Sequence, residues 1–161
     1  MESTGVQRGE GSRHSVANAE IPDLMPVREF KELRVYQQAY DAATEIFEHS
    51  KEWPKEETYS LTDQIRRSSR SVCANIAEAW RKRRYENHFV SKLSDADAEA
   101  AETRTWLQFG RDSGYLSEES FEDLDSTYNH ICGGLVNMMK DPEPWCGPDA
   151  AREPNIPYDS S

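Results

Sequence analysis

The residues best suited to contact another molecule lie in one basic stretch of an otherwise acidic chain. Eight Lys or Arg residues and three Asp or Glu residues lie between Thr58 and Lys92, although the whole chain carries a formal net charge of −11. Cationic side chains neutralise phosphates, and aromatic rings stack on bases. The stretch therefore suggests RNA or DNA binding as a hypothesis. The candidate contacts are Arg66, Arg67, Arg70, Trp80, Arg81, Lys82, Arg83, Arg84 and Tyr85.

The same basic stretch has a second interpretation, in which it is a solvated surface whose arginines pair with acidic residues. Charge blocks commonly have no other role. The acidic remainder of the chain would also weaken long-range attraction of a nucleic acid. Self-association would favour the first interpretation, because it would repeat the basic patch in every copy.

Metal and catalytic chemistry find no support in the sequence. None of His49, His88 and His130 has a glutamate three residues before it, as a di-iron site in a helical bundle requires. No glycine-rich phosphate loop and no nucleophile elbow is present. Cys73 lies among small residues typical of helix packing, so we interpret it as a core residue. We expect no cofactor, no metal and no enzymatic activity.

The helix that positions the basic residues is predicted at about residues 58–80, with Thr58 or Ser60 as its N-cap. Its apolar residues share one face, because their spacings are sums of three and four. Within it, Asn75 and Glu78 could contact a ligand or form a buried hydrogen-bonded pair that fixes the helix register. We favour the structural interpretation. The apolar face consists of Leu61, Ile65, Val72 and Ile76.

Three further helices are predicted from apolar periodicity, at about residues 30–51, 87–112 and 117–140. In the first, the stripe Val35, Ala39, Ala42 and Ile46 lies beside a second stripe of Tyr36, Tyr40, Ala43 and Phe47. Two adjacent stripes are wider than a surface helix needs, so we expect this helix also to touch another subunit. In the last helix, a close contact would explain Gly133 and Gly134. The third helix has a seam of Phe89, Leu93, Ala96, Ala100, Thr103 and Leu107.

The predicted fold is an all-α, antiparallel up-down-up-down four-helix bundle over residues 29–141, because four helices of similar length are joined by short turns. Residues 1–28 and 142–161 are predicted to be disordered tails, rich in polar residues or proline. No apolar run is long enough for a membrane span. Three cysteines without a C-x-x-C pair fit a reducing compartment, so we expect a cytoplasmic protein.

Several short motifs resemble those of the bacterial four-helix bundle proteins of the 23S rRNA-intervening sequence family. The resemblance extends over about residues 30–140. Ala79 departs from it where the family usually has glycine, and Cys73 where members often have proline. The matching motifs are Phe30-Lys31-Glu32-Leu33, Trp53-Pro54-Lys55-Glu56-Glu57, Gln64-Ile65-Arg66-Arg67-Ser68, Ala74-Asn75-Ile76-Ala77-Glu78 and Gly114-Tyr115-Leu116-Ser117.

The resemblance implies a fold and an assembly rather than a reaction. Relatives form antiparallel bundles that assemble as homo-oligomeric rings of five. One related group serves as an accessory subunit of retroelement reverse transcriptases, within ribonucleoproteins, and binds nucleic acid through a basic surface. The resemblance therefore implies a scaffold or accessory protein, with RNA or DNA as a candidate partner. The alternative is a purely protein-interaction ring with no nucleic-acid contact.

Overall fold

Four long helices account for most of the residues that the structure, a computed structural model, describes, which are 27–147. They are α1 (Arg34–Ser50), α2 (Leu61–Arg81), α3 (Glu86–Asp112) and α4 (Glu118–Lys140), followed by the short helix α5 (Glu143–Cys146). No strand occurs in this described part of the chain. The all-α four-helix prediction is confirmed.

Two contacts between α2 and α3 show that these helices run antiparallel. Ser68 near the start of α2 bonds to Thr103 late in α3, whereas Glu78 near the end of α2 pairs with Lys92 early in α3. The Thr103 hydroxyl donates to Ser68 Oγ at 2.8 Å between two fully buried residues. A hydrogen bond between two helices inside an apolar core favours one relative position of those helices, because a shift of either helix would break it.

The core is built from the predicted stripes. The six seam residues of α3 are all fully buried, and the inner stripe of α1 is at most 7% exposed. Trp53 packs against the bundle core and is 7% exposed, and its ring lies 5.8 Å from that of Tyr115. The remaining seam lies on α4 and contains Phe121, Leu124, Tyr128, Ile131, Leu135 and Met138.

The helix ends differ from the predictions where the backbone turns. Leu33 is extended, so residues 30–32 form a separate 3₁₀ turn before α1. At α2 the Ser60 side chain does not cap the helix; the carboxylate of Glu57 accepts from the Leu61 N–H instead. Ser117 does cap α4, because its Oγ accepts from the Ser120 N–H. The Glu57 carboxylate suits the start of α2, because helix N-termini carry partial positive charge.

The sequence predicted a disordered tail from residue 142, but the chain directly after α4 is ordered. Residues 143–146 form α5, and Trp145 and Cys146 pack partly buried against the core. Partial burial of the Trp145 ring against the apolar core favours this packed course. The remainder of the two predicted disordered tails, residues 1–26 and 148–161, lies outside the described part of the chain.

Over residues 27–147, no helix combines the length and the apolar content that crossing a bilayer demands.

Candidate functional site

The nine candidate nucleic-acid contacts do not form one patch. They follow α2 from its first turns to its C-terminal end, where the chain turns into α3. At 1.5 Å per residue, Arg70 and Arg81 lie about 16 Å apart along the helix axis. The structure therefore divides the predicted set into an upstream group near α1 and a downstream group at the end of the bundle.

Trp80 is not available for base stacking, which corrects the sequence prediction. Its side chain is only 4% exposed and belongs to the core. The Arg83 guanidinium lies over the indole ring at 3.9 Å, and its Nη1 donates to the Trp80 carbonyl. The sequence held a signal for this burial, because Trp80 follows Ile76 by four residues and so continues the apolar face of α2.

The downstream group retains four exposed members, Arg81, Lys82, Arg84 and Tyr85. Within residues 27–147, none of the three cations has a carboxylate within 4 Å. The Tyr85 ring is 58% exposed and has the Arg84 guanidinium 5.9 Å from its centre. We call these four residues the basic corner. Its three exposed cations can meet an anion from solvent, and the exposed part of the Tyr85 ring can stack on a base.

The upstream group surrounds an aromatic ring of α1. Guanidinium groups of Arg66 and Arg70 lie 4.6 and 5.5 Å from the centre of the Phe47 ring, and the Lys51 ammonium lies 4.9 Å from it. Arg66 Nε donates to Ser50 Oγ at 2.8 Å. Arg67 points elsewhere and pairs with Asp63 at 3.7 Å. Cations around one aromatic ring gain cation–π stabilisation but repel one another.

An open apolar groove of about 500 Å³ extends from this cation cluster between α1 and α2. The α1 wall is the second stripe that the sequence singled out, whose Tyr40 is 55% exposed. The Tyr36 and Tyr40 rings stack with their centres 6.1 Å apart. Apart from Arg70, the α2 wall consists of the small residues Cys73, Ala74 and Ala77, which were not among the predicted site residues. We call this the α1–α2 groove; it is lined by Phe30, Tyr36, Tyr40, Ala43, Thr44, Phe47, Arg70, Cys73, Ala74 and Ala77.

Cys73 lies at the floor of the α1–α2 groove and is 9% exposed. Burial raises the pKa of its thiol to about 11. A thiol with that pKa is almost fully protonated near neutral pH, and the thiolate is the nucleophilic form. The protonated Cys73 thiol is therefore a poor nucleophile. Among the described residues no cluster of His, Cys, Asp and Glu could hold a metal ion.

Asn75 and Glu78 do not form the buried pair that the sequence suggested. Asn75 is half-buried, and its amide donates to the Ser71 carbonyl and hydroxyl within α2. Glu78 is exposed and pairs with Lys92 of α3 at 2.9 Å. That contact holds the pKa of Glu78 below its usual range. The two side chains therefore bond to different partners, Asn75 within α2 and Glu78 across to α3.

Comparison with known proteins identifies a family and a similar fold. The family described as 23S rRNA-intervening sequence protein matches residues 31–137, which contain the four long helices except the last residues of α4. A crystal structure of a protein with unknown function from the S23 ribosomal protein family of Bacteroides thetaiotaomicron VPI-5482 is 29% identical, with a TM-score of 0.60. The similarity covers 66% of this chain and 95% of that one. The search of curated proteins gave no match. Neither description names an enzymatic activity.

Proposed function

The chain belongs to the 23S rRNA-intervening sequence protein family, and from that membership we propose that it is a non-enzymatic, self-assembling scaffold whose copies meet through the α1–α2 groove. The observation that carries the proposal is the outer stripe of α1. Its aromatic residues remain on the surface after the inner stripe has filled the core. A continuous apolar strip of this kind is typical of an association surface.

The energetics of the groove favour a protein partner. Covering the exposed part of Tyr40, which is 55% of its side chain, would contribute about 2 kcal/mol from apolar burial. Ala74 and Ala77 on the opposite wall present no bulky side chain, so a helix of another copy can approach closely. The stacked pair of Tyr36 and Tyr40 supplies a rigid protrusion, and rigid aromatics bind with little loss of side-chain entropy.

A ring of five, as the family resemblance implies, is the assembly we propose. Copies in a closed ring are related by rotation, so every groove can be occupied. The basic corner would then occur five times on one assembly. We propose a cytoplasmic location for it, in keeping with its cysteine content.

The experiment is a mass measurement in solution by light scattering at about 1 to 100 μM protein. We expect a mass of about five chains of 18.5 kDa, and dissociation of the Ala77→Glu variant, because a carboxylate buried in an apolar contact is costly. The matched control is Ala98→Glu, which adds the same charge on the exposed side of α3. A monomer throughout this range would contradict self-assembly. An oligomer indifferent to Ala77→Glu would place the contact on another surface.

A second candidate function is RNA or DNA binding at the basic corner, as in an accessory subunit of a reverse-transcriptase ribonucleoprotein. It is favoured by the exposed, carboxylate-free cations of Arg81, Lys82 and Arg84 beside the exposed ring of Tyr85. Fivefold repetition would raise the affinity through multivalency without any new contact. The alternative is a scaffold that contacts only proteins.

A further inference from the structure

A closed ring needs two different contact surfaces on every copy. A two-fold dimer joins one surface to its own equivalent, whereas a ring of three or more copies joins one surface to a second surface on the next copy. The α1–α2 groove supplies one of the two. The surface that meets it must therefore lie elsewhere on the bundle.

The large exposed aromatic rings of the described residues occupy three places. Tyr40 belongs to the groove and Tyr85 to the basic corner. The other two, Tyr59 and Phe109, line a shallow hollow of about 470 Å³ between the start of α2 and the end of α3. They are 94% and 55% exposed, and the half-buried Trp106 lies with its ring 5.9 Å from that of Phe109. Exposed apolar patches of this kind mark interaction sites.

The charge beside this hollow is negative. Glu102 lies about one turn from Trp106 along α3, is exposed, and has the Glu99 carboxyl beside it. Within residues 27–147, neither carboxylate has a basic side chain within 4 Å, because the ion pairs of α3 involve other acids. We call Tyr59, Glu102, Trp106 and Phe109 the α2–α3 face.

The cation cluster at the end of the groove lacks the opposite charge. Arg66 and Arg70 lie against the Phe47 ring, and among the described residues neither has a carboxylate within 4 Å. The Lys51 ammonium, in contrast, pairs with Glu48 at 3.1 Å. The bundle thus carries unpaired guanidinium groups on one surface and unpaired carboxylates on another. Complementary charges of this kind select the partner and the register of an interface.

The two surfaces face opposite sides of α2. Gln64 lines the hollow, and Cys73 lines the groove. These residues are nine positions apart, which is about two and a half helical turns, so their side chains point in opposite directions. One copy can therefore be contacted from both sides at once, as a ring requires.

The unpaired charges also lie at the same level of the bundle. The hydrogen bond between Ser68 and Thr103 gives α2 and α3 a common level. Arg66 and Arg70 are each about 3 Å from Ser68 along the axis, and Glu102 is about 1.5 Å from Thr103. Rotation about an axis parallel to the helices leaves these levels unchanged. In such a ring, Glu102 of one copy stands level with the two arginines of the next.

We propose that the α2–α3 face of one copy seats against the cation-bearing end of the α1–α2 groove of the next, with Glu102 bonded to Arg66 and Arg70. This inference rests on the proposed function, because it names the surface that meets the groove. Charge-assisted pairs of carboxylate and guanidinium are stronger than neutral hydrogen bonds. The rings of Trp106 and Phe109 add apolar burial and cation–π contact with the same arginines.

The first test places the photo-crosslinking residue p-benzoylphenylalanine at position 109, where it replaces another aromatic ring. Chains with light and heavy nitrogen isotopes are mixed, diluted until copies exchange, and concentrated again before illumination. We expect adducts that join light to heavy chains, on Phe47, Lys51 or Arg66. The same label at position 122, on the exposed side of α4, is the control and should not reach these residues. Adducts confined to single chains would overturn the proposal.

The second test reverses charges and reads the mass by light scattering. Glu102→Arg should raise the protein concentration needed for half-assembly by about tenfold or more, because like charges would face each other at Arg66 and Arg70. Adding Arg66→Glu and Arg70→Glu to this variant should restore assembly. Glu122→Arg makes the same charge change on the exposed side of α4 and should leave the mass unchanged. Failure of the rescue would overturn the proposed pairing.

The two tests separate this contact from self-assembly as such. An oligomer that Ala77→Glu dissociates but Glu102→Arg leaves intact would retain the groove contact and overturn the α2–α3 face as its partner. A two-copy assembly without adducts from position 109 would do the same, because a groove would then meet its own equivalent. A monomer at every concentration would overturn the proposed self-assembly and this contact with it.

Discussion

Gly134 on α4 lies against Val35 on α1 so closely that a Cβ at the glycine would stand 2.7 Å from Val35 Cγ1. Its neighbour Gly133 has no atom within 4 Å of the equivalent position. Glycine inside a helix costs about 1 kcal/mol relative to alanine. At Gly134 this cost is offset by the approach of two helices, and at Gly133 no such compensation exists.

We therefore expect Gly134→Ala to lower the free energy of unfolding by about 1 to 2 kcal/mol, because the stiff side chain of Val35 cannot move aside within the core. Gly133→Ala is the matched control and should raise it by up to about 1 kcal/mol. Urea unfolding measures both. Adding Val35→Ala to Gly134→Ala should reduce the penalty below the sum of the single changes. Equal effects of the two glycine substitutions would contradict this packing.

The glycine pair also shows which packing contacts can be predicted from the sequence. Its pattern indicated a close contact at both positions, but adjacent helical residues point about 100° apart, so only Gly134 faces α1. The inner stripes and seams were predictable because hydrophobic periodicity identifies the buried face of each helix. Which neighbour each face meets depends on helix pairing, which no local pattern contains.

The candidate site likewise has features that the sequence predicts and features that it does not. The outer stripe of α1 was predictable as surplus apolar width, and the exposed cations of the basic corner were predictable from their charge. The burial of Trp80 had a signal in its spacing from Ile76, but the sequence could not show that Arg66 and Arg70 meet at Phe47. That meeting depends on how α1 and α2 face each other.

Tyr128 offers a test of the core. It is fully buried, and within the described residues its hydroxyl has no hydrogen-bond partner. Burial raises the pKa of this phenol. An unpaired buried hydroxyl costs about 1 to 3 kcal/mol, so Tyr128→Phe should stabilise the bundle by about 1 kcal/mol, measured as a higher melting temperature. Tyr59→Phe is the control, because Tyr59 is 94% exposed and its hydroxyl is solvated. A lower melting temperature for Tyr128→Phe would contradict this description of the core.

Glu99 predicts a pH dependence. Burial, together with the charge of Glu102, raises the pKa of the half-buried Glu99 carboxyl. A raised folded-state pKa means that the folded chain binds this proton more tightly than the unfolded chain. Its contribution to stability is therefore present at low pH and is lost as pH rises through the folded pKa.

Glu99→Gln should accordingly raise the melting temperature at pH 7 by about 1 to 3 °C, because the amide removes the disfavoured charge. The advantage should shrink as pH falls towards 4, where the unmodified carboxyl also becomes neutral. Glu122→Gln, on the exposed face of α4, is the control and should show a smaller effect at pH 7. A gain for Glu99→Gln that persists unchanged at low pH would exclude ionisation as its cause.

The basic corner predicts where any nucleic acid binds. Filter binding of a single-stranded RNA at about 50 mM salt should show retention that falls steeply as salt increases, because each neutralised phosphate releases counterions. Replacing Arg81, Lys82 and Arg84 by alanine should reduce the slope of log K against log salt by about 2, near 0.7 for each lost contact. Tyr85→Ala should weaken binding by about 1 to 3 kcal/mol if the ring stacks on a base.

The matched control for the basic corner replaces Lys51, Lys55 and Arg67 by alanine. It removes the same three charges at the opposite end of α2, where Arg67 is already paired with Asp63. An effect confined to the corner would locate the site, because both variants change the net charge equally. Equal losses from the two triple variants would indicate non-specific attraction. Absence of retention at about 50 mM salt would leave the protein-interaction scaffold as the better account, since electrostatic binding is strongest at low salt.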